Sequence, residues 1–210
     1  MSHRSAPELL ALHGVRVLGG PTVVAIAERF GLDRNEVREH LLDAQAFGWV
    51  TRHEYFGETW SLTSRGRERN ERLLAEELDA TGLRDVVRGA HRDFLPLNVR
   101  HGEASTRWQL RSTRWDPRAF NDHTDPVWDH EVLSELEAID AEFSSIADAL
   151  AGALQRFDGY AQRHSIAVAH ARAGQHDWVD GPDRASCQLV WIQFHEDLLA
   201  TLGIPRGSDG

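Results

Sequence analysis

The sequence contains no lysine and a single cysteine, Cys187. One thiol excludes an intrachain disulfide and any zinc site that takes two or more ligands from cysteine. No stretch reaches the roughly 18 apolar residues that a membrane helix needs, and residues 1–7 lack the apolar segment of a signal peptide. We therefore expect a cytoplasmic protein with no membrane partner.

Acidic residues outnumber basic ones, with 33 Asp and Glu against 23 Arg and a formal net charge of −10. The imbalance is uneven along the chain. Residues 1–78 hold 10 arginines and 12 acidic residues, whereas residues 79–210 hold 13 arginines and 21 acidic residues. Because nucleic-acid binders normally carry a basic footprint, such a footprint can only be local in this chain.

The pattern of elements changes near residues 79–82. Before this point short elements alternate with turn signals, and after it long helical patterns dominate. A chain of 210 residues makes one large domain or two small ones. We predict a mainly α protein with a first domain over residues 1–78, an all-helical domain over residues 79–205 and a disordered tail over residues 206–210.

Within the first domain, Asp33 and Glu36 have the spacing of a capping box. They predict a helix over residues 34–47 that buries Val37, Leu41 and Ala44. The other elements predicted here are helices over residues 7–18, 22–30 and 65–78, and a hairpin of strands over residues 49–55 and 59–63, with a turn at residues 56–58. In the second domain, helices are predicted over residues 82–100, 105–111, 127–157, 159–173 and 184–202.

Several short motifs in the first domain carry a family resemblance. They are Val24-Ala25-Ile26-Ala27 before Gly31, then Val37, Leu41 and Ala44, then Phe47-Gly48-Trp49-Val50, and Trp60-Ser61-Leu62-Thr63 followed by Gly66-Arg67. This third of the chain resembles the MarR-type winged-helix transcriptional regulators. The remaining 130 or so residues depart from that family, which usually ends in a shorter dimerisation helix pair. The arrangement therefore resembles a winged helix-turn-helix joined to a separate helical domain, as in GntR-type regulators.

The resemblance implies double-stranded DNA as the partner of a homodimer, with the helix over residues 34–47 in the major groove. Arginine can grip guanine and asparagine can grip adenine through two hydrogen bonds. The candidate DNA-binding residues are Arg34, Asn35, Arg38 and Glu39 on this helix, Arg52 and His53 on the hairpin, and Arg65 and Arg67 after it. The alternative is a solvated face whose charges pair with one another, on a winged helix that serves as a protein-interaction or regulatory module without DNA contact.

Five of the seven tryptophans lie in the second domain, some of them close to arginines. An aromatic wall beside guanidinium groups suits an aromatic ligand or a small carboxylate. The predicted pocket for such a small-molecule effector is formed by Trp108, Arg111, Trp115, Trp128 and Trp191. The alternative interpretation is that these tryptophans only fill the core or an interface.

Histidines and carboxylates cluster over nine positions that include Asp122 and Asp129. Imidazole and carboxylate groups are metal ligands. The candidate ligands of a divalent metal are His123, Asp125 and His130. The alternative is that the aspartates only cap the helix that follows, and on that interpretation no cofactor is expected.

No motif for catalysis stands out, because the sequence has no Gly-x-Ser-x-Gly elbow, no P-loop and no Gly-x-Gly-x-x-Gly. Cys187 lies in an apolar helical run and is interpreted as a packed small hydrophobe. We therefore predict a ligand-responsive transcriptional regulator and not an enzyme. A metal-dependent enzyme is the third class of function considered. It would be indicated by stoichiometric metal in the purified protein.

Overall fold

The structure, a computed structural model, describes residues 2–55 and 57–207. Over these ranges it is mainly helical with one two-stranded antiparallel sheet, which confirms the predicted mainly α class. The helices are α1 (Pro7–Leu18), α2 (Val23–Phe30), α3 (Arg34–Ala46), α4 (Ser64–Thr81), α5 (Arg84–Gln109), α6 (Pro126–Ala153), α7 (Tyr160–Arg172), α8 (Asp177–Asp180) and α9 (Cys187–Leu202). The strands are β1 (Val50–His53) and β2 (Thr59–Leu62).

The chain divides into two compact units. The first unit takes in Met1–Arg88, Ala153–Arg156 and Gln193–Gly210, and the second takes in Gly89–Gly152 and Phe157–Ile192. The sequence pattern placed a single boundary near residues 79–82, so it did not anticipate that two later segments belong to the first unit. Of the predicted tail and turn, residues 208–210 and residue 56 lie outside the described residues.

The core of the first unit lies where α1, α2, α3 and the hairpin meet. Val37, Leu41 and Ala44 are buried there, as the spacing along α3 predicts. Trp60 of β2 is fully buried in the same cluster, and its backbone N–H donates to the carbonyl oxygen of Pro21 at 3.0 Å. The hairpin is thereby fixed to the helices by an aromatic side chain and by a backbone hydrogen bond.

A second feature of the first unit is a buried polar network around Asp197 of α9. The imidazole Nε2 of His13 lies 3.0 Å from Asp197 Oδ1, and the other ring nitrogen lies 3.3 Å from Asn70 Oδ1. The guanidinium of Arg156 lies 3.5 Å from the same carboxylate and donates to Thr201 Oγ1 at 2.9 Å. The five side chains are buried, so their charges and dipoles are neutralised by one another and not by water.

Helix α5 corrects one prediction, because it is one helix where the sequence predicted two, over residues 82–100 and 105–111. Pro96 and Gly102 lie inside it. Its buried residues follow the 3–4 spacing of a single helical face, namely Val87, His91, Phe94, Leu97, His101, Ala104 and Trp108. Burial of this face outweighs the cost of roughly 1 kcal/mol that a glycine adds to a helix interior.

In the second unit, Trp108 packs with residues of α6 and α7. Helix α6 presents Val132, Leu136 and Ile139 to the interior.

No single helix among the described residues is long and apolar enough to span a membrane. Taken together, α1 and α2 pass that test of length and composition, but the pair is bent by 111°.

Candidate functional site

The exposed side of α3 carries the first group of predicted DNA-binding residues. The carboxylate of Asp33 caps the helix by accepting hydrogen bonds from the backbone N–H groups of Asn35 at 2.8 Å and of Glu36 at 3.1 Å. The side opposite the buried residues consists of Arg34, Asn35, Arg38 and Glu39, all exposed. The sequence therefore identified the exposed face of α3 correctly.

Two arginines from different elements meet beside α3. A guanidinium nitrogen of Arg38 lies 3.1 Å from Glu58 Oε2, and a guanidinium nitrogen of Arg52, on β1, lies 2.7 Å from the same oxygen. Arg52 is also 3.0 Å from Glu54. Arg38 and Arg52 thus form a pair of cations, named here the arginine pair, which Glu58 holds together.

The other predicted residues lie apart from the arginine pair. Arg34 pairs with Glu28 of α2 at 3.2 Å, and Arg67 lies 3.4 Å from Glu196. His53 Nε2 lies 2.8 Å from the Ser61 hydroxyl across the hairpin. Arg65 is exposed and forms no ion pair with any described residue.

The five residues of the predicted effector pocket do not lie together. Trp108 and Trp128 belong to one cluster, and the guanidinium of Arg111 lies 5.7 Å from the ring centre of Trp128. Trp115 is 86% exposed, whereas Trp191 is buried against Phe94, Phe143 and His101. These tryptophans therefore do not line one common pocket.

A cavity of about 290 Å³ is found instead in the first unit, between α1 and the second half of α3. Two carboxylates, Glu8 and Asp43, face it beside the stacked rings of Phe47 and Trp49, whose centroids are 4.7 Å apart. The rest of its lining is Leu12, His40 and Ala44. Acidic and aromatic walls favour a cationic ligand over an anionic one.

The predicted metal ligands are also separated, because only His123 lies in a cluster of ligating groups. The carboxylate of Asp125 caps α6 by accepting from the backbone N–H of Val127 at 3.0 Å, and it pairs with Arg111. His130 is exposed, with its Nδ1 3.3 Å from the guanidinium of Arg172. Asp125 therefore acts as a helix cap, as the alternative interpretation expected. The predicted ligand set of His123, Asp125 and His130 is wrong, because the three side chains do not converge.

Asp129 and His176, in place of the predicted Asp125 and His130, are the ligating groups that lie close to His123. One nitrogen or oxygen of each of His123, Asp129 and His176 lies within 4.8 Å of the other two. Asp129 lay within the cluster that the sequence singled out, but His176 is 47 positions further on. No local pattern in the sequence connects His176 to the other two residues.

Two further histidines of the second unit, His101 and His164, are buried and lie close together. His101 stacks on Trp191 with ring centroids 4.2 Å apart, and its ring lies 5.9 Å from that of His164. The Nδ1 of His164 is 2.6 Å from Asp140 Oδ1. Among the described residues, the Nε2 atoms of both histidines have no hydrogen-bond partner.

Burial, reinforced by the neighbouring His164, lowers the pKa of His101 from 6.5 to about 3. Below pH 6.5 the unfolded chain binds a proton at residue 101, whereas the folded protein keeps this imidazole unprotonated. The free energy of unfolding therefore falls as the pH falls. Between pH 6.5 and pH 5 the loss is about 2 kcal/mol in the free energy of unfolding. We expect urea denaturation, followed by tryptophan fluorescence, to show it.

The matched variant for this effect is His101→Phe, which keeps an aromatic ring against Trp191 and removes the titrating group. It is expected to lack the loss between pH 6.5 and pH 5, whereas a change at the exposed His130 leaves the loss in place. An equal loss in wild type and in His101→Phe would show that other groups cause it.

The single cysteine is inert in this fold. Cys187 is fully buried, and burial, with Asp140 nearby, raises the pKa of its thiol to about 12. Because the thiolate is the nucleophilic form, this environment suits a packed side chain and not a reactive one.

No protein-family model matches the chain, and comparisons with curated proteins and with solved structures find no match. The choice of a function therefore depends on the residues of the chain itself.

Proposed function

We propose that the chain is a DNA-binding transcriptional regulator in which α3 and the β1–β2 hairpin contact the duplex. The observation that supports this most is the arginine pair, since Arg38 of α3 and Arg52 of β1 come together on the exposed side of both elements. In a winged helix these two elements are the recognition helix and the wing, which contact the major groove and the neighbouring backbone.

The order of elements in the first unit supports the same proposal. The order of α2, a short turn, α3, the hairpin and α4 is the order of elements expected for a helix-turn-helix followed by a wing. Asn35 is exposed on the first turn of α3 beside Arg34, and residues near the start of a recognition helix are the ones that reach base edges.

Glu58 holds the two guanidinium groups of the arginine pair in place in the absence of DNA. Its carboxylate bridges two guanidinium groups that would otherwise repel each other, Glu54 supplies a second negative charge, and both arginines remain partly exposed. Phosphate oxygens offer the same geometry as a carboxylate and can replace Glu58 as the partner of either arginine. On this proposal Glu58 competes with DNA, and its carboxylate sets part of the salt dependence of binding.

The proposal is tested by fluorescence anisotropy of a labelled duplex from beside the gene, with random DNA as the control, at about 50 mM and about 200 mM salt. Affinity is expected to fall as salt rises, and Arg38→Ala is expected to cost about 1–3 kcal/mol of binding free energy. Glu58→Gln is expected to strengthen binding to both duplexes, because it removes the competing charge.

The control variant is Arg92→Ala. Arg92 is an exposed arginine of the second unit that pairs with Asp93, so its loss changes the net charge equally. The proposal fails if no duplex binds at the lower salt, or if Arg38→Ala and Arg92→Ala bind DNA equally well. The same first domain would then be assigned to protein interaction.

We further propose that two copies of the chain act together on the duplex. One recognition helix reads only a few base pairs, so a homodimer that binds two half-sites about one helical turn apart gains affinity and specificity. A stoichiometry of two chains per duplex in the same titration supports this part of the proposal, and one chain per duplex contradicts it.

A further inference from the structure

Two imidazoles and one carboxylate meet near the start of α6 in the second unit. His123 precedes α6, Asp129 lies in its first turn, and His176 directly precedes α8. Their ligand atoms all lie within 4.8 Å of one another. The fold therefore brings His176 to two donors that lie 47 or more positions earlier in the chain, and none of the three is a cysteine.

Asn121 aligns two of the three groups. Its side-chain N–H₂ donates to Asp129 Oδ1 at 2.9 Å and to the backbone carbonyl of Trp108 at 3.0 Å, while its side-chain oxygen accepts from the backbone N–H of His123 at 3.2 Å. Partners of this kind fix the orientation of metal ligands in known sites. The second carboxylate oxygen of Asp129 is left to face His123 Nδ1 at 3.0 Å.

His123 has an unusual backbone conformation, since it is the one residue other than glycine among the described positions with a positive φ, at 56°. A left-handed conformation at such a residue costs on the order of 1–3 kcal/mol and persists where the surroundings impose it. Here the hydrogen bond to Asn121 and the contact with the buried Trp108, 4.4 Å between ring centroids, hold His123 toward Asp129.

We propose that His123, Asp129 and His176 bind a divalent first-row transition-metal ion such as Zn²⁺ or Fe²⁺. Two histidines and one carboxylate are a donor set that these ions use, with further positions left open to water or a ligand. Mg²⁺ and Ca²⁺ prefer oxygen donors throughout, so two imidazoles select against them. This proposal does not depend on DNA binding.

The burial of the three side chains suits an ion that enters from solvent. Asp129 is buried, His123 is half-buried and His176 is exposed. The side chain of His176 forms no hydrogen bond or ion pair with another described residue, and its ring lies 4.9 Å from that of His123. His123 and Asp129 are thus preorganised as ligands, and His176 would coordinate the ion from the solvent side.

The full chain, freed of metal with a chelator, is titrated with Zn²⁺ by calorimetry and with Co²⁺ by visible absorption, and Mg²⁺ serves as the control ion. We expect one ion per chain with micromolar or tighter affinity and no heat with Mg²⁺. Co²⁺ is also expected to quench Trp108, whose ring lies 4.4 Å from His123 and 5.2 Å from His176.

The deciding variants are His176→Gln and Asp129→Asn. Each is expected to weaken Zn²⁺ and Co²⁺ binding by more than about 100-fold, because even an outer partner of a metal ligand is worth about 10–100-fold. His130→Gln, one position from Asp129 but outside the site, is expected to bind as wild type does. If His176→Gln, an exposed change that leaves the core intact, binds as tightly as wild type, or if wild type binds neither ion, the proposal is wrong.

Discussion

Replacement of Asp197 by alanine is expected to lower the free energy of unfolding by about 3–5 kcal/mol, which is the typical cost of breaking a buried ion pair. Asp197 is completely buried and faces both His13 and Arg156. Without its carboxylate, the buried His13 loses its closest acceptor, and the buried Arg156 keeps Glu77 but loses its second carboxylate. Urea denaturation followed by circular dichroism measures the loss.

Asp85→Ala is the matched control, because Asp85 is an exposed aspartate of the first unit that pairs with Arg88. Its replacement is expected to change stability by less than about 1 kcal/mol. Equal stability of Asp197→Ala and Asp85→Ala would mean that the network around Asp197 contributes nothing.

The same network predicts a response to acid. Burial by itself raises the pKa of Asp197, but His13, Arg156 and Arg29 outweigh it and hold the pKa below the usual value. A carboxylate whose pKa is lowered on folding stabilises the protein above its unfolded pKa of about 3.9, and this contribution disappears as the pH falls further. In the Asp197→Ala variant, we expect the free energy of unfolding to lack this dependence on pH.

Gly66→Ala is the second substitution for which we expect a large effect. A Cβ atom at residue 66 would lie 1.8 Å from the carbonyl oxygen of Trp49 and 2.7 Å from its carbonyl carbon, both of them backbone atoms. The start of α4 and the backbone before β1 would have to separate, although Thr63 joins them by a hydrogen bond to the same oxygen. We expect a loss of about 3 kcal/mol in the free energy of unfolding.

Gly102→Ala is the control for this change. Gly102 lies inside α5 with no atom within 4 Å of an added Cβ, so alanine there is expected to stabilise the helix by up to about 1 kcal/mol. Thermal denaturation of both variants compares them directly. A Gly66→Ala protein as stable as wild type would show that the hairpin shifts at no cost.

Elements with local signals were predictable from the sequence. The cap at Asp33 and the buried positions of α3 agree with the structure, because capping and amphipathic spacing are properties of a few neighbouring residues. The break predicted after residue 100 is absent, because α5 runs without interruption from Arg84 to Gln109. The burial of His101, Ala104 and Trp108 along one face decides the helix instead.

The candidate sites were less predictable, because each depends on partners distant in the sequence. No local pattern around Arg38 predicts its contact with Glu58, and no local pattern around His123 predicts that His176 lies beside it. The choice of Asp125 over Asp129 as a ligand could not be made from spacing, since both lie close to the start of α6. Only the fold shows that Asp125 caps that helix.

The three-segment composition of the first unit has a consequence for how the chain is made. His13 and Asn70 leave the ribosome early, but their partner Asp197 follows Arg88 by roughly 110 residues, about 5–20 s at ordinary rates of translation. The residues of the second unit are complete before Asp197 emerges. During this interval the nascent first unit lacks the aspartate that faces its buried His13 and Arg156, so completion of the buried polar network is a late event in biosynthesis.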